Sequence, residues 1–188
     1  METCGLPPFQ LREIARHLAG GGLIAYPTEA VFGLGCDPLD GEAVMRALAL
    51  KHRDPGKGLI LVADSPETLR PWTALPASDW TTIAAEWPAP RTVIVPAAAG
   101  VPDWLTGGRA EIALRVPAHP LPRAISAAFG GAIVSTSANV TGHPPARSAL
   151  IARRTFAAAG VRIVPGAVDR RARPSQIIHW PTGRIIRS

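Results

Sequence analysis

Two apolar runs, "TVIVP" (92–96) and "IALRVP" (112–117), are separated by a loop too short for a packed crossover helix. They therefore read as antiparallel neighbours or as members of a mixed sheet, because parallel neighbours need a long crossover. Four further apolar runs read as strands: "LIAYP" (23–27), "LILVA" (59–63), "AIVST" (132–136) and "VRIVP" (161–165). "SQIIHW" and "GRIIR" suggest a terminal hairpin. Helical signals lie between the strands. Phe9, Ile14 and Leu18 fall near helical spacing over 9–19, and Gly20, Gly21 and Gly22 stop that helix. Asp40 caps a helix over 41–50 with Val44, Ala47 and Leu48 on one face, and Ser65 followed by Pro66 opens a short one. Further helices are predicted over 78–87, ended by Pro88, over 120–129, and over 149–158 with Ser148 as cap. Helices alternating with strands, mixed with close strand pairs, predict an α/β protein: a three-layer-like arrangement around a twisted mixed sheet.

The length of 188 residues suits one domain, residues 1–188, and 47% hydrophobic against 18% charged residues describes a globular chain. No apolar run approaches the roughly 18 residues that a membrane helix needs. The N-terminal stretch carries Glu2 and Glu13 and lacks a signal-peptide apolar segment, so a cytoplasmic protein is expected. Cys4 and Cys36 form neither a zinc pattern nor a disulfide framework and read as two reduced thiols. The net charge of +6 is uneven: residues 1–146 balance at −2, whereas 147–188 hold nine Arg against Asp169 and balance at +8. Such asymmetry can mark a nucleic-acid or polyphosphate surface. It also fits a chain that is Arg-biased throughout, with 18 Arg and two Lys.

Four stretches at the ends of apolar runs could carry chemistry, since ligands of open α/β sheets gather at strand ends. In "YPTEAVFGLGCDP", Thr28 and Glu29 follow a strand, and Gly33 and Gly35 permit close backbone approach to a ligand, although hydroxyls and glycines are also ordinary turn chemistry. "KHRDPGKGLILVA" places Lys51, Arg53 and Lys57 within seven positions, with Asp54 as the one acid among them. Two cations about 8 Å apart repel by roughly 2 kcal/mol at an effective dielectric near 20, a cost that solvent removes at the surface but an anion must offset in a cleft. The carbonyl end of the preceding helix accounts for Lys51 and His52, but not for Lys57, which lies beyond Pro55 and Gly56. A triphosphate would suit the three cations, Arg53 offering a bidentate fork. In "AIVSTSANVTG", Ser135, Thr136, Ser137 and Asn139 could cap a turn or satisfy phosphate oxygens. Arg115, alone on an apolar strand, needs a structural or a ligand carboxylate if it is buried. No phosphate loop, dinucleotide fingerprint or catalytic triad is present; His17, His119, His143 and His179 lack metal-ligand spacing, and acid–base catalysis by side chains is not indicated.

The motifs "YPTEAVFGLGCDP", "KHRDPGKGLILVA", "WPAPRTVIVPA", "IALRVPAHPL", "STSANVTGHPP" and "PSQI", in this order, resemble the YrdC/TsaC family of threonylcarbamoyl-AMP synthases along essentially the whole chain, in its short form. The resemblance implies a twisted open mixed sheet with flanking helices around a basic concave cavity. It implies the conversion of L-threonine, bicarbonate or CO2, and ATP to threonylcarbamoyl-adenylate and pyrophosphate. ATP would arrive with Mg2+, with no dedicated metal site and no prosthetic group. The product would pass to a separate transferase system that modifies tRNAs reading codons that begin with A, and tRNA or double-stranded RNA could itself bind. By resemblance, Lys51 and Arg53 are the catalytic pair, and Lys51, Arg53, Lys57, Ser137, Asn139 and Arg187 hold ATP. Thr28, Arg115, Ser135 and Ser175 surround threonine, Arg115 pairing its carboxylate. The sequence departs from the family pattern at Ala30 (commonly threonine), Ala89 (commonly glycine) and Gln176 (commonly threonine), and carries the short-form loop "PGKG". The rival reading is a non-catalytic RNA-binding or ribosome-maturation module, which would not require Thr28, Arg115 and Ser175.

Overall fold

A proline-initiated helix, α1 (Pro8–Ala19), opens the chain in the computed structural model, which describes residues 5–169 and 171–187. Cys4 and Arg170 lie outside the described residues. α1 buries Ile14 and Leu18, one helical turn apart, while Phe9 remains 53% exposed. At about 100° per residue, Phe9 points roughly 140° away from Ile14, so near-helical spacing did not put it on the buried face. After the glycine run come β1 (Ile24–Pro27) and β2 (Phe32–Gly35), an antiparallel hairpin. β2 is a strand where loop glycines were expected. A Cβ at Gly35 would lie 2.4 Å from the Val134 carbonyl oxygen and 2.9 Å from the Tyr26 ring, so the glycine admits the neighbouring strand and the aromatic ring, not a ligand.

Asp40 caps α2 (Gly41–Leu50) by accepting from the Ala43 amide at 2.9 Å, and Ser65 caps the short α3 (Pro66–Leu69) through the Thr68 amide. Between them runs β3 (Ile60–Val62). α4 (Ala77–Ala84) ends before the expected residue 87. Glu86 and Trp87 donate to carbonyls three residues back, tightening the last turn ahead of Pro88. β4 (Arg91–Pro96) and β5 (Glu111–Arg115) are antiparallel, joined through the four-residue α5 (Asp103–Thr106). Then follow α6 (Pro120–Phe129), β6 (Ile133–Ser137), α7 (Ala149–Phe156), β7 (Arg162–Ile163), β8 (Gln176–His179) and β9 (Arg184–Arg187).

The nine strands among the described residues lie in one mixed sheet, ordered β7-β1-β2-β6-β3-β5-β4-β8-β9. The pairs β1·β7, β3·β5 and β4·β8 are parallel and the remaining neighbours antiparallel. The period-2 alternation of strands decides what each face meets. Leu34, Leu61, Val93, Val95, Ile112, Leu114 and Val134 enter the larger core beneath α2, α3, α4, α5 and α7. Ile24, Tyr26, Val62 and Ile133 point the other way and pack under α1 and α6. Those two helices cover only part of that face, and the remainder is the floor of a cavity. Among the described residues no helix is long and apolar enough to cross a membrane. Cys36 is a buried free thiol, its pKa pushed up to about 12 by burial and by Asp37 and Asp40.

Candidate active site

The uncovered sheet face floors a cavity of about 640 Å³. Mostly alternate residues of these strands reach it: Glu111, Ala113 and Arg115 from β5, Ile94 from β4, Ser135 and Ser137 from β6, Ile177 and His179 from β8, with Ile112 and Thr136 also bordering it. The segment 28–33, Arg53 with residues 57–60, Leu105, Thr106 and Arg109, and the segment 173–175 complete the wall. Among the described residues seven cations line it (Arg53, Lys57, Arg109, Arg115, Arg173, Arg184, Arg187) against the carboxylates Glu29 and Glu111. Such a wall concentrates positive potential in a recess and attracts polyanions.

Arg115 is 8% exposed and pairs with Glu29, so the buried cation has a structural carboxylate. Burial raises the Glu29 carboxyl, but the Arg115 charge and its hydrogen bond outweigh that and leave the pKa below the ordinary value. Glu29 also accepts from the Ala118 amide at 2.8 Å and the His119 amide at 3.3 Å, tying the β1–β2 turn to the chain beyond β5. The Nε of Arg115 is buried without a hydrogen-bond partner. Arg187 donates from Nε and Nη2 to the Ser175 carbonyl at 2.9 and 2.7 Å and from Nη2 to its hydroxyl at 3.0 Å. Burial and the neighbouring Arg115 charge lower the Arg187 pKa, which places the residue expected on ATP beside two expected around threonine. Thr28 spends its hydroxyl on the Val31 carbonyl at 2.7 Å, closing the turn that presents Glu29.

Lys51 and Arg53 diverge. His52 between them takes φ of +48°, a left-handed conformation rare for a side chain with a Cβ, and reverses the chain after α2. Arg53 enters the cavity, its Nη2 donating to the Gly58 carbonyl at 3.0 Å and its buried Nε without a hydrogen-bond partner. Lys51, 2% exposed, lies behind the wall and does not line the cavity. Its ammonium donates to the Ser137 carbonyl, to the Asn139 carbonyl at 2.9 Å, and to Asn139 Oδ1 at 3.5 Å. Burial, then the Arg53 charge, lowers its pKa to about 8. Asn139 is likewise behind the wall, accepting from the Ser137 hydroxyl at 2.6 Å and donating to the Val140 and His143 carbonyls. Lys51 and Asn139 thus shape the loop that carries Ser137.

The structure therefore brings Arg53, Lys57, Ser137, Arg187, Thr28, Arg115, Ser135 and Ser175 to one cavity, and sets Lys51 and Asn139 beneath it. Sequence reading missed Arg109, Arg173, Arg184, Glu111 and His179 as wall residues. His179 bonds Glu111 Oε1 at 2.6 Å and the Thr182 hydroxyl at 2.7 Å, a His–carboxylate pair brought together by strands β5 and β8 on either side of β4. The C-terminal arginines among the described residues do not share one surface. Arg173, Arg184 and Arg187 face the cavity, whereas Arg162, on the edge strand β7, pairs with Glu13 of α1 at 3.0 Å and does not line it. Among the described residues, no three His, Cys, Asp or Glu side chains cluster as a metal site.

An open mixed sheet with a cation-walled cavity on its uncovered face defines an α/β protein built to hold an anionic ligand. The family model Sua5_yciO_yrdC, described as telomere recombination, matches residues 16–188, and the chain belongs to that family. It is 51% identical to the threonylcarbamoyl-AMP synthase of Alkalilimnicola ehrlichii and 47% identical to that of Halorhodospira halophila, in both cases over 100% of each chain. P. abyssi Sua5 complexed with L-threonine is 31% identical with a TM-score of 0.87. That match covers 93% of this chain and 52% of the Sua5 chain, so this protein spans about half the length of that relative. E. coli YciO, at 21% identity and TM-score 0.84 over 97% of this chain and 90% of its own, shares the fold.

Proposed function

We infer that the protein is a threonylcarbamoyl-AMP synthase, an enzyme that joins L-threonine, bicarbonate or CO2, and ATP into L-threonylcarbamoyladenylate and releases pyrophosphate. The observation that carries this reading is a cavity of matching charge in a chain 51% identical, end to end, to an enzyme of that name. Threonine takes up CO2 on its amine as a carbamate. A carbamate oxygen then attacks the α-phosphorus of ATP, the bond from that phosphorus to the bridging oxygen breaks, and pyrophosphate leaves with the electron pair.

Such a displacement asks the protein chiefly for positioning and for charge stabilisation. Arg53 and Lys57 lie on the side suited to the outer phosphates, and Ser137 supplies a hydroxyl to a phosphate oxygen. Lys51 acts through Ser137 and Asn139, holding their loop with its three donors. The threonine end is assigned to Thr28, Arg115, Ser135 and Ser175. The unpartnered Nε of Arg115 supports a second carboxylate there beside Glu29. Arg187 joins the two ends through Ser175. ATP enters as its Mg2+ complex. Both wall carboxylates are engaged, Glu29 by Arg115 and Glu111 by His179, so phosphate oxygens and water are the ion's natural ligands. No prosthetic group is required.

The proposed setting is cytoplasmic, with the adenylate consumed by a transferase acting on tRNAs that read codons beginning with A. The test is pyrophosphate release by the purified chain. Release should require threonine and bicarbonate together; threonine-independent ATP cleavage, or no cleavage with all substrates present, sinks the reading.

A further inference from the structure

The end of the cavity between the turns 54–58 and 105–109 carries a charge arrangement that the family motifs do not include. The two turns interlock backbone to backbone. The Leu59 amide donates to the Leu105 carbonyl at 2.8 Å. Gly107, at φ +68°, lies so close to the first turn that a Cβ would stand 2.6 Å from the Gly56 carbonyl oxygen and 2.8 Å from the Gly58 nitrogen. Gly58, at φ +63°, leaves the space in which Arg109 lies: a Cβ there would be 2.7 Å from Arg109 Nη2. Arg53 donates to the carbonyl of that same glycine. Two guanidinium groups from different turns thus converge on Gly58, with Lys57 next in the chain, and all three line the cavity.

Little in the protein balances them. Arg109 makes no hydrogen bond or ion pair among the described residues, and Arg53 leaves its buried Nε unpartnered. Asp54, the acid that acts on Arg53, is outside the cavity wall and accepts from the Gly56 amide at 2.9 Å. The Arg109 charge, after burial, lowers the Arg53 pKa, a sign that the two repel in the absence of an anion. Converging guanidinium forks with free donors suit an oxyanion with several acceptor oxygens.

We propose that Arg109 contacts the substrate: with Arg53 and Lys57 it holds the two outer phosphates of ATP and the departing pyrophosphate. This rests on the synthase reading and adds to it a residue and a place. The leaving group gains negative charge as its bridging oxygen takes the electron pair, and Arg109 stands where that charge collects. The duller alternative is a solvated surface arginine that only packs on Gly58.

Calorimetric titration of the full chain with inorganic pyrophosphate separates these, because it needs no turnover. Arg109→Ala should weaken pyrophosphate binding about 10-fold or more, the usual scale of one charge-assisted contact. Arg109→Lys should recover part of the loss, since charge persists without the fork. Arg154→Ala on α7, which removes the same net charge from an exposed site off the wall, should change binding less than about twofold. The KM for ATP should rise in Arg109→Ala while that for threonine stays level. Pyrophosphate affinity and ATP KM equal to wild type in Arg109→Ala, or an equal loss in Arg154→Ala, would overturn the assignment. If wild type forms the adenylate and binds pyrophosphate while Arg109→Ala matches it, only this inference fails. If wild type does neither, the synthase reading fails with it.

Discussion

Strand β5 shows two faces that obey different rules. Ile112 and Leu114 belong to the helix-covered core at 2% and 0% exposure, Ile112 also bordering the cavity, whereas Glu111, Ala113 and Arg115 line the cavity and belong to no core cluster. On the covered side, size and shape decide what fits, because a lost methylene leaves a void. On the open side, charge decides, and each ionised group needs a partner from the protein or from a ligand. Arg115 blurs the division: it faces the cavity yet is as buried as a core residue, its pair with Glu29 serving architecture and site together.

The largest expected effect tests that overlap. Arg115→Met strands Glu29 and should cost about 3–5 kcal/mol of stability by denaturant unfolding. The double variant with Glu29→Met should regain most of that stability, since no charge is left unpaired, while its KM for threonine stays raised at least about 10-fold. Full recovery of threonine use in the double variant would make Arg115 purely structural and remove it from the open-face group.

Leu114→Ala, one position away on the covered face, should cost about 2–5 kcal/mol by the same measurement, with the KM values of the folded fraction unchanged. A raised KM for either substrate would show that the faces are not mechanically separate.

Arg53→Ala should do the reverse. Steady-state kinetics should show kcat lowered roughly 10- to 150-fold, about 1.5–3 kcal/mol, with stability moved by less than about 1 kcal/mol. A stability loss as large as that of Leu114→Ala would place Arg53 with the core residues instead.

The smallest effect concerns Lys51, beneath the open face. Its ammonium titrates at about 8 instead of 10.5, so raising pH through 8 removes the charge that holds the Ser137 and Asn139 carbonyls. ATP affinity should weaken a few-fold across that range, and Lys51→Arg should abolish the inflection. The sign for folding is opposite. Between about 8 and 10.5 the unfolded chain retains a proton that the native chain has released, so this group adds stability as pH rises. Affinity in the Lys51→Arg variant that keeps the same inflection would show that another group titrates there.

Much of the fold was legible because caps and apolar runs act locally. Asp40, Ser65 and Ser148 each cap the helix expected of them, and every apolar run read as a strand contains one. β2 was not legible. Half of "FGLG" is glycine, which reads as a turn until Tyr26 and the Val134 carbonyl are in place to require it. The site divides in the same way. Arg53, Lys57, Arg115 and Ser137 stood out as polar groups crowding strand ends, and all four reach the cavity. Arg109 and His179 carried no local signal, because their partners, Gly58 and Glu111, lie 51 and 68 positions away.

The sequence by itself determined most of the segments that become helices and strands, β2 excepted, since capping, period-2 and helical patterning act within a few residues. It also determined the surplus of cations that calls for an anion. Only the tertiary structure decided which face of the sheet stays uncovered and which cations reach it. Lys51 and Arg53 are two residues apart, yet one lies behind the wall and the other within it, because the left-handed turn at His52 sends them opposite ways. Arg173 and Arg184 read only as part of a basic C-terminal stretch until β8 paired with β4 and β9 folded back on β8, bringing them to the cavity beside Arg187. Strand pairing joins residues distant in sequence through hydrogen bonds common to every backbone, so the one-dimensional pattern holds no record of which charges will meet.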